Sequence, residues 1–391
     1  MPVWHEALVE LRKQNKVKLV GVIQEQHGDR CRLFAQWKGF DWPILQDKIN
    51  LLGLRAVPKS IAIDEHGIVR SLNPSPNSIE EFLNQTFAAP DRELSVVDIP
   101  DLNQLRDATD TNNATSWREL GDALTIWHDG RRISEAIAAY REAITLNPKD
   151  AEAAFSMGVA LRRRSENPRG LPGDFQNAVN AWSDALDLDP NHYIYRRRIE
   201  QYGPRLAKPY PFYDWVDTAR SEIQARDEKP HELKVEPRGA EIARPTRRFV
   251  SETQNVEDPD PDGRINRDRN RIRITPVVVP PRIRPGAAVR AHIAFEPRRG
   301  SHWNNEAQPV RVWLDPPAGW TLERNLLTLA QPKDPESKEM RTTEVELRAP
   351  ATFVGEAIIT GYALYFVCDD ENGTCYFMRG DLKFSVKAKK K

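Results

Sequence analysis

Apolar residues recur at helical spacing through the middle of the chain and alternate with polar ones through its last third. Between residues 115 and 190 one pattern occurs twice. Trp117, Leu120, Gly121 and Leu124 share a helical face and are followed by Ala136, Tyr140, Ala143 and Pro148. The second copy reads Ala154, Met157, Gly158 and Leu161, then Ala178, Trp182, Ala185 and Pro190. Small Gly and Ala let two helices approach closely while a large aromatic fills the space between them. Pro148 and Pro190 end the second helix of each copy, since proline cannot donate the helical hydrogen bond. Tyr193, Tyr195, Ile199 and Tyr202, with Trp215, Ala219 and Ile223, predict further helices that cap the array.

The flanks differ. Residues 7–15 read as the end of a helix, and Lys18–Ile23 as a buried strand by its nearly continuous apolar run. Asp29–Phe40 suits a helix with Cys31, Phe34, Ala35 and Trp37 partly inward, and Cys31 reads as a small core residue. Ser60–Ile63 and Ile68–Arg70 predict a hairpin across the Asp-x-x-Gly turn Asp64–Gly67. A last helix is expected over Ser78–Phe87, with Ser78 and Glu81 as a capping box. Beyond Gln224 the chain turns charged and proline-rich to about residue 272, which reads as linker, although Glu232–Glu236 is strand-like. From 273 to 388 short alternating runs include Ala288–Phe295, Val310–Leu314, Thr343–Leu347, Gly355–Tyr362, Ala363–Cys368 and Leu382–Val386. Several short strands at such spacing predict an antiparallel sandwich of immunoglobulin type.

Composition narrows the function classes. Fifty-seven acidic and 57 basic residues balance, so no global field draws the chain to nucleic acid or an anionic membrane. No apolar run nears the ~20 residues that span a bilayer. The start Met1-Pro2-Val3-Trp4-His5-Glu6 has neither a basic region nor an apolar stretch, so the sequence as given reads as cytosolic. The eight histidines show no metal-ligand clustering, and His302 with Glu306 would form a site only on a helix. Neither a phosphate loop nor a nucleophile elbow is present, and no metal or cofactor is expected. Of three cysteines, Cys31 stands alone; Cys368 and Cys375 flank a six-residue segment with an Asn372-Gly373 turn, a hairpin that brings the two sulfurs together.

Three resemblances follow from these residues. The doubled pattern of Trp117, Gly121, Ala136, Tyr140 and Pro148, then Gly158, Ala178, Trp182 and Pro190, resembles tetratricopeptide repeats. Their period is about 34 residues, whereas these prolines stand 42 apart, with Glu166–Asp174 the visible insertion. Such arrays bind peptides in a concave groove, or here space and dock the flanking domains. Residues 1–90 resemble the redoxin branch of the thioredoxin-like superfamily, Ile61–Gly67 matching its strand and hairpin. That resemblance makes Pro58, after Val57, the candidate for the family's cis-proline; an ordinary trans proline opening a strand is the alternative. The family's redox cysteines, which stand at a helix N-terminus, have no counterpart here. Either the coding start lies upstream, with an active-site motif and export signal, or the domain is a remnant without redox chemistry; an open sheet lacking an interior strand favours the former. The cysteine hairpin is similar to the immunoglobulin-like N-terminal domain of thiol:disulfide interchange proteins, with Ser301–Glu306 and Pro316–Trp320 loosely resembling its early strands and turns.

The expected architecture is therefore a truncated thioredoxin-like domain (1–90), a linker (91–114), tetratricopeptide repeats with capping helices (115–226), a charged linker (227–272) and a β-sandwich (273–388). The implied function is thiol–disulfide exchange at Cys368 and Cys375, with protein partners at the repeats and a thiol or disulfide protein as substrate. The alternative is a non-enzymatic adaptor with a structural disulfide or two unpaired thiols. Either disulfide implies an oxidising, extracytoplasmic compartment.

Overall fold

The computed structural model describes residues 1–24, 26–91, 99–127, 130–167, 170–204, 215–233 and 256–389. They fall into two compact units: Met1–Ala160 with Ala185–Arg197 and Trp215–Lys234, and Leu161–Asp184 with Arg198–Asp214 and Val235–Lys391. The chain is thus multidomain, with helical and β-sheet regions. No helix among the described residues is long and apolar enough to cross a membrane.

The first unit opens with α1 (Pro2–Lys13), β1 (Gly21–Ile23), α2 (Gly28–Lys38) and β2 (Ile44–Gln46). Pro2 sits in the first turn of α1, where its missing N–H costs nothing, and Gly39 ends α2 in the left-handed region (φ 65°). β1 and β2 pair in parallel, with α2 as their crossover. The buried strand expected over Lys18–Ile23 is shorter and half exposed: Val20 and Val22, on one face at 50% and 41%, are left largely uncovered there. On α2 the fully buried residue is Leu33, while Cys31 is half-buried and not a core residue.

β3 (Ile61–Ile63) and β4 (Val69–Leu72) form a separate antiparallel pair. The buried Asp64 carboxylate organises their turn, accepting from the N–H groups of His66 and Ile68 at 2.9 Å each and from Arg70 Nε at 2.6 Å. The capping box after it is Ser75 with Ser78, on a 3-10 turn over Pro76–Ser78, and not Ser78 with Glu81. Pro76 starts the helical turn early, and the helix that follows, α3 (Ile79–Leu83), is shorter than expected. The presumed linker 91–114 holds a helix, α4 (Leu102–Asp107), capped by the Asp101 carboxylate.

The repeat helices are α5 (Ala114–Trp127), α6 (Ile133–Leu146), α7 (Ala151–Ser165) and α8 (Asp174–Leu188), and then come α9 (Tyr193–Glu200) and α10 (Trp215–Gln224). A methyl on Gly121 would meet the Tyr140 ring at 2.7 Å, so the small residue admits the aromatic. Tyr195 of α9 stacks on Phe155 of α7 at 4.7 Å, covering the array. α10 does not cap it. Val216, Ala219 and Ile223 instead form a buried cluster with Leu33 of α2 and with Leu233, flanked by Trp37 and Trp215 stacked at 6.0 Å. An apolar helical face records that a helix is covered, without naming its cover.

The β region of the second unit comprises β5 (Ile272–Val279), β6 (Arg282–Ile283), β7 (Ala288–Pro297), β8 (Ser301–Asn304), β9 (Arg311–Asp315), β10 (Thr321–Leu322), β11 (Leu326–Thr328), β12 (Glu336–Ser337), β13 (Arg341–Arg348), β14 (Gly355–Asp369) and β15 (Cys375–Ala388). One sheet has the order β10-β13-β7-β5; the other runs β11-β9-β14-β15-β6, with β8 joined to β14 and β12 to β8. Ile293, Phe295, Trp303, Leu347, Ile359 and Val367 belong to one core shared by the two sheets. The expected pieces Gly355–Tyr362 and Ala363–Cys368 are one strand, β14, which changes partner from β9 to β8 along its length. Gly361 marks the close approach there: a Cβ would lie 2.3 Å from the Trp313 carbonyl. Residues 256–271, expected as linker, are pinned to this sheet. Asp260 pairs with Arg379 at 2.8 Å and Asp268 accepts from Tyr365 Oη at 2.8 Å. Residues 234–255 of that segment, with Lys234–Glu236 of the strand-like piece, lie outside the described residues.

Candidate functional site

The hairpin of β14 and β15 is zipped in register from Gly355 opposite Ala388 to Cys368 opposite Cys375. At its end Cys368 and Cys375 form a disulfide, their Cα atoms 3.9 Å apart. The turn is closed by backbone bonds, Asp369 N–H to the Thr374 carbonyl and Gly373 N–H to the Asp369 carbonyl, each 3.0 Å. Gly373 supplies the left-handed conformation (φ 64°) the turn requires.

Register assigns the faces. Val367 lies between Trp303 and Tyr376 on the core side of the sheet. Side chains alternate along a strand, so Cys368 points to the outer face with its register partners Cys375 on β15 and His302 on β8. These three form a row with Cys368 in the middle. Cys375 is exposed, whereas Cys368 is only 2% exposed although it lies outside the sheet core. Beside them on the same face the half-buried Phe366 and Phe377 stack at 4.6 Å.

His302 is held at both ring nitrogens. Nδ1 lies 2.7 Å from Asp370 Oδ1 and Nε2 3.0 Å from Glu336 Oε2. Lys338 donates to the other oxygen of Asp370 at 2.7 Å. Lys338 first, and His302 with it, hold the Asp370 carboxyl below its ordinary range. Across the turn Arg271 clasps Asp369, whose carboxyl is held down by that bond. The sequence pattern directs attention from His302 to Glu306, but β8 is a strand and its partners come from β12 and the hairpin turn. Among the described residues no group of three or more His, Cys, Asp or Glu could hold a metal ion.

The other candidate residues lie in the first unit or on the repeat helices. The Val57–Pro58 peptide bond is cis, as is Val279–Pro280. Ala136, Tyr140, Gly158, Ala178 and Trp182 are buried, while Pro148 and Pro190 are exposed just past α6 and α8. Trp117 is only partly buried, its ring N–H donating to the Thr111 carbonyl at 3.2 Å. Tyr140 also donates to Asp122 at 2.8 Å, and burial pushes the Asp122 carboxyl up to about 6. Arg164 near the end of α7 and Asp174 at the start of α8 form a buried two-point ion pair at 2.8 and 2.7 Å. On α8 Gln176 accepts from Val278 N–H at 2.8 Å and donates to its carbonyl at 3.3 Å, covering the free edge of β5.

A family model for the TPR repeat matches residues 128–163, so a repeat of the class used for protein–protein interaction is present there. Among solved structures, MamA is similar at 20% identity over 32% of this chain and 58% of that one, with a TM-score of 0.21. The GAE domain of yeast GGA1 is similar at 14% identity over 31% of this chain and 96% of that one, TM-score 0.21. A FixG-related protein from Vibrio parahaemolyticus is similar at 9% identity over 30% and 98%, TM-score 0.18. The chain thus spans little more than half the length of MamA. None of the curated proteins matches it.

Proposed function

We propose that the chain carries out thiol–disulfide exchange at Cys368–Cys375 while its helical repeat engages a protein partner. The asymmetry of the pair carries this reading: the exposed Cys375 can be reached by an incoming thiolate, and the covered Cys368 serves as the leaving group. Attack on Cys375 Sγ forms a mixed disulfide and breaks the Cys368–Cys375 bond, its electron pair passing to Cys368. A second thiolate of the partner then attacks the mixed disulfide and releases Cys375 as thiolate. The partner leaves oxidised, and this chain holds two thiols once protons are taken up. The stacked Phe366 and Phe377 supply an apolar contact beside the attacked sulfur.

A purely structural staple has little to do at this place. The hairpin is already held along its length by ladder bonds, and a loop this short gains less from a disulfide than a long one does. The reading further assigns the two-sheet domain to the immunoglobulin type, residues 1–90 to a thioredoxin-like domain with Pro58 as its cis-proline, and the protein to an oxidising compartment. Residues 1–90 do not carry the exchange, since Cys31 stands half-buried within α2.

The adaptor reading rests on a different observation, the family match to the TPR repeat alone. Titration of the folded protein in a glutathione or dithiothreitol redox buffer, with thiol trapping, separates the two. Exchange predicts a midpoint above roughly −230 mV; a midpoint below roughly −300 mV, or protection until denaturation, makes the disulfide structural.

A further inference from the structure

We infer that His302 is the positioning residue of this site, stabilising the negative charge that forms on Cys368 when the disulfide opens. The inference rests on the exchange reading above. Its observations are the cross-strand row and the two carboxylates. His302 and Cys368 are direct register partners on the outer face, a relation that brings Cβ atoms within about 4.5–5.5 Å. Cys368 is covered, so a thiolate formed there loses much of its hydration and needs a nearby positive charge or donor. His302 stands on its other flank, opposite Cys375.

The ring is fixed rather than free to swing. Asp370 Oδ1 and Glu336 Oε2 face Nδ1 and Nε2 at 2.7 and 3.0 Å. A neutral imidazole carries one N–H and can donate to only one of them, whereas the imidazolium donates to both. Among the described residues the charged groups paired at the ring are Glu336, Asp370 and, through Asp370, Lys338. Glu336 is largely exposed and Asp370 is shared with Lys338, so neither carboxylate neutralises the ring completely. During exchange the disulfide bond breaks, the electron pair rests on Cys368 Sγ, and the imidazolium beside it stabilises that anion. No proton need transfer in the step, and the thiolate takes its proton from solvent afterwards.

The test is the rate at which dithiothreitol opens the disulfide in the folded full chain at pH 7, divided by the concentration of attacking thiolate. His302→Gln is expected to open about tenfold more slowly than wild type, that factor being worth about 1.4 kcal/mol. His302→Lys, which keeps a cation at the same register position, is expected to restore the fast rate. Glu336→Gln, at an exposed position where folding is not at stake, removes one of the two carboxylates that fix the ring and should slow the opening by a smaller factor. A wild-type disulfide that opens readily, at a rate that His302→Gln and Glu336→Gln leave unchanged, overturns the inference and leaves the exchange reading standing. A wild-type disulfide inert to dithiothreitol until the fold is denatured overturns both.

Discussion

Asp122 shows what a single buried carboxylate does to the repeat. It accepts from Tyr140 Oη at 2.8 Å, and burial outweighs that bond and the nearby Arg118, raising its carboxyl from the usual 3.8 to about 6. The folded state therefore binds a proton more tightly than the unfolded chain. The associated stability is present in full below pH 3.8 and is lost as pH rises through 6, a change of about 3 kcal/mol at most. Asp122→Asn keeps an acceptor for Tyr140 and removes the charge. Urea unfolding should find it more stable than wild type at pH 7.5 and nearly equal at pH 4; equal stability at both would contradict the account. The sequence identifies Gly121 and Tyr140 as a packing pair, because both stand on a repeating apolar face. It says nothing of Asp122 beneath them or of His302, whose partners Glu336 and Asp370 lie on other strands and turns. Local spacing carries no information about such pairs.

At the scale of elements, the 3.6-residue period marks the repeat helices and the prolines mark their ends, since both signals are local. The cover of α10 is not local: its apolar face fits a cap on the repeats as well as it fits α2, and only the fold chooses. In the sequence β14 reads as two pieces that meet at Tyr362 and Ala363, whereas the fold makes them one strand, and the close approach of the Trp313 carbonyl that demands Gly361 is a tertiary fact. The insertion Glu166–Asp174 is visible as an enlarged period, yet its clasp is not. Arg164 and Asp174 are 9% and 2% exposed at their side chains, so Asp174→Ala leaves a buried guanidinium without its carboxylate. The expected cost is on the order of 3–5 kcal/mol in urea unfolding. A loss under about 1 kcal/mol would mean the pair is hydrated and the insertion is not closed by it.

For the molecule as a whole, a TPR repeat points to protein partners, and the hairpin disulfide is where the proposed exchange takes place. The division into helical and β regions is legible in the sequence because each has its own period. The boundary of the β region is less so, because Asp260 and Asp268 look like linker charges until Arg379 and Tyr365 are seen to receive them. The row His302, Cys368 and Cys375 emerges only from strand register, and it is what gives the proposed exchange a direction. The most direct measurement is to react the folded, oxidised chain briefly with reduced glutathione, quench with acid, and map the adduct by peptide mass. Attack on the exposed sulfur predicts glutathione on Cys375 with Cys368 as the free thiol. Glutathione on Cys368, or no adduct until denaturant is added, would contradict it.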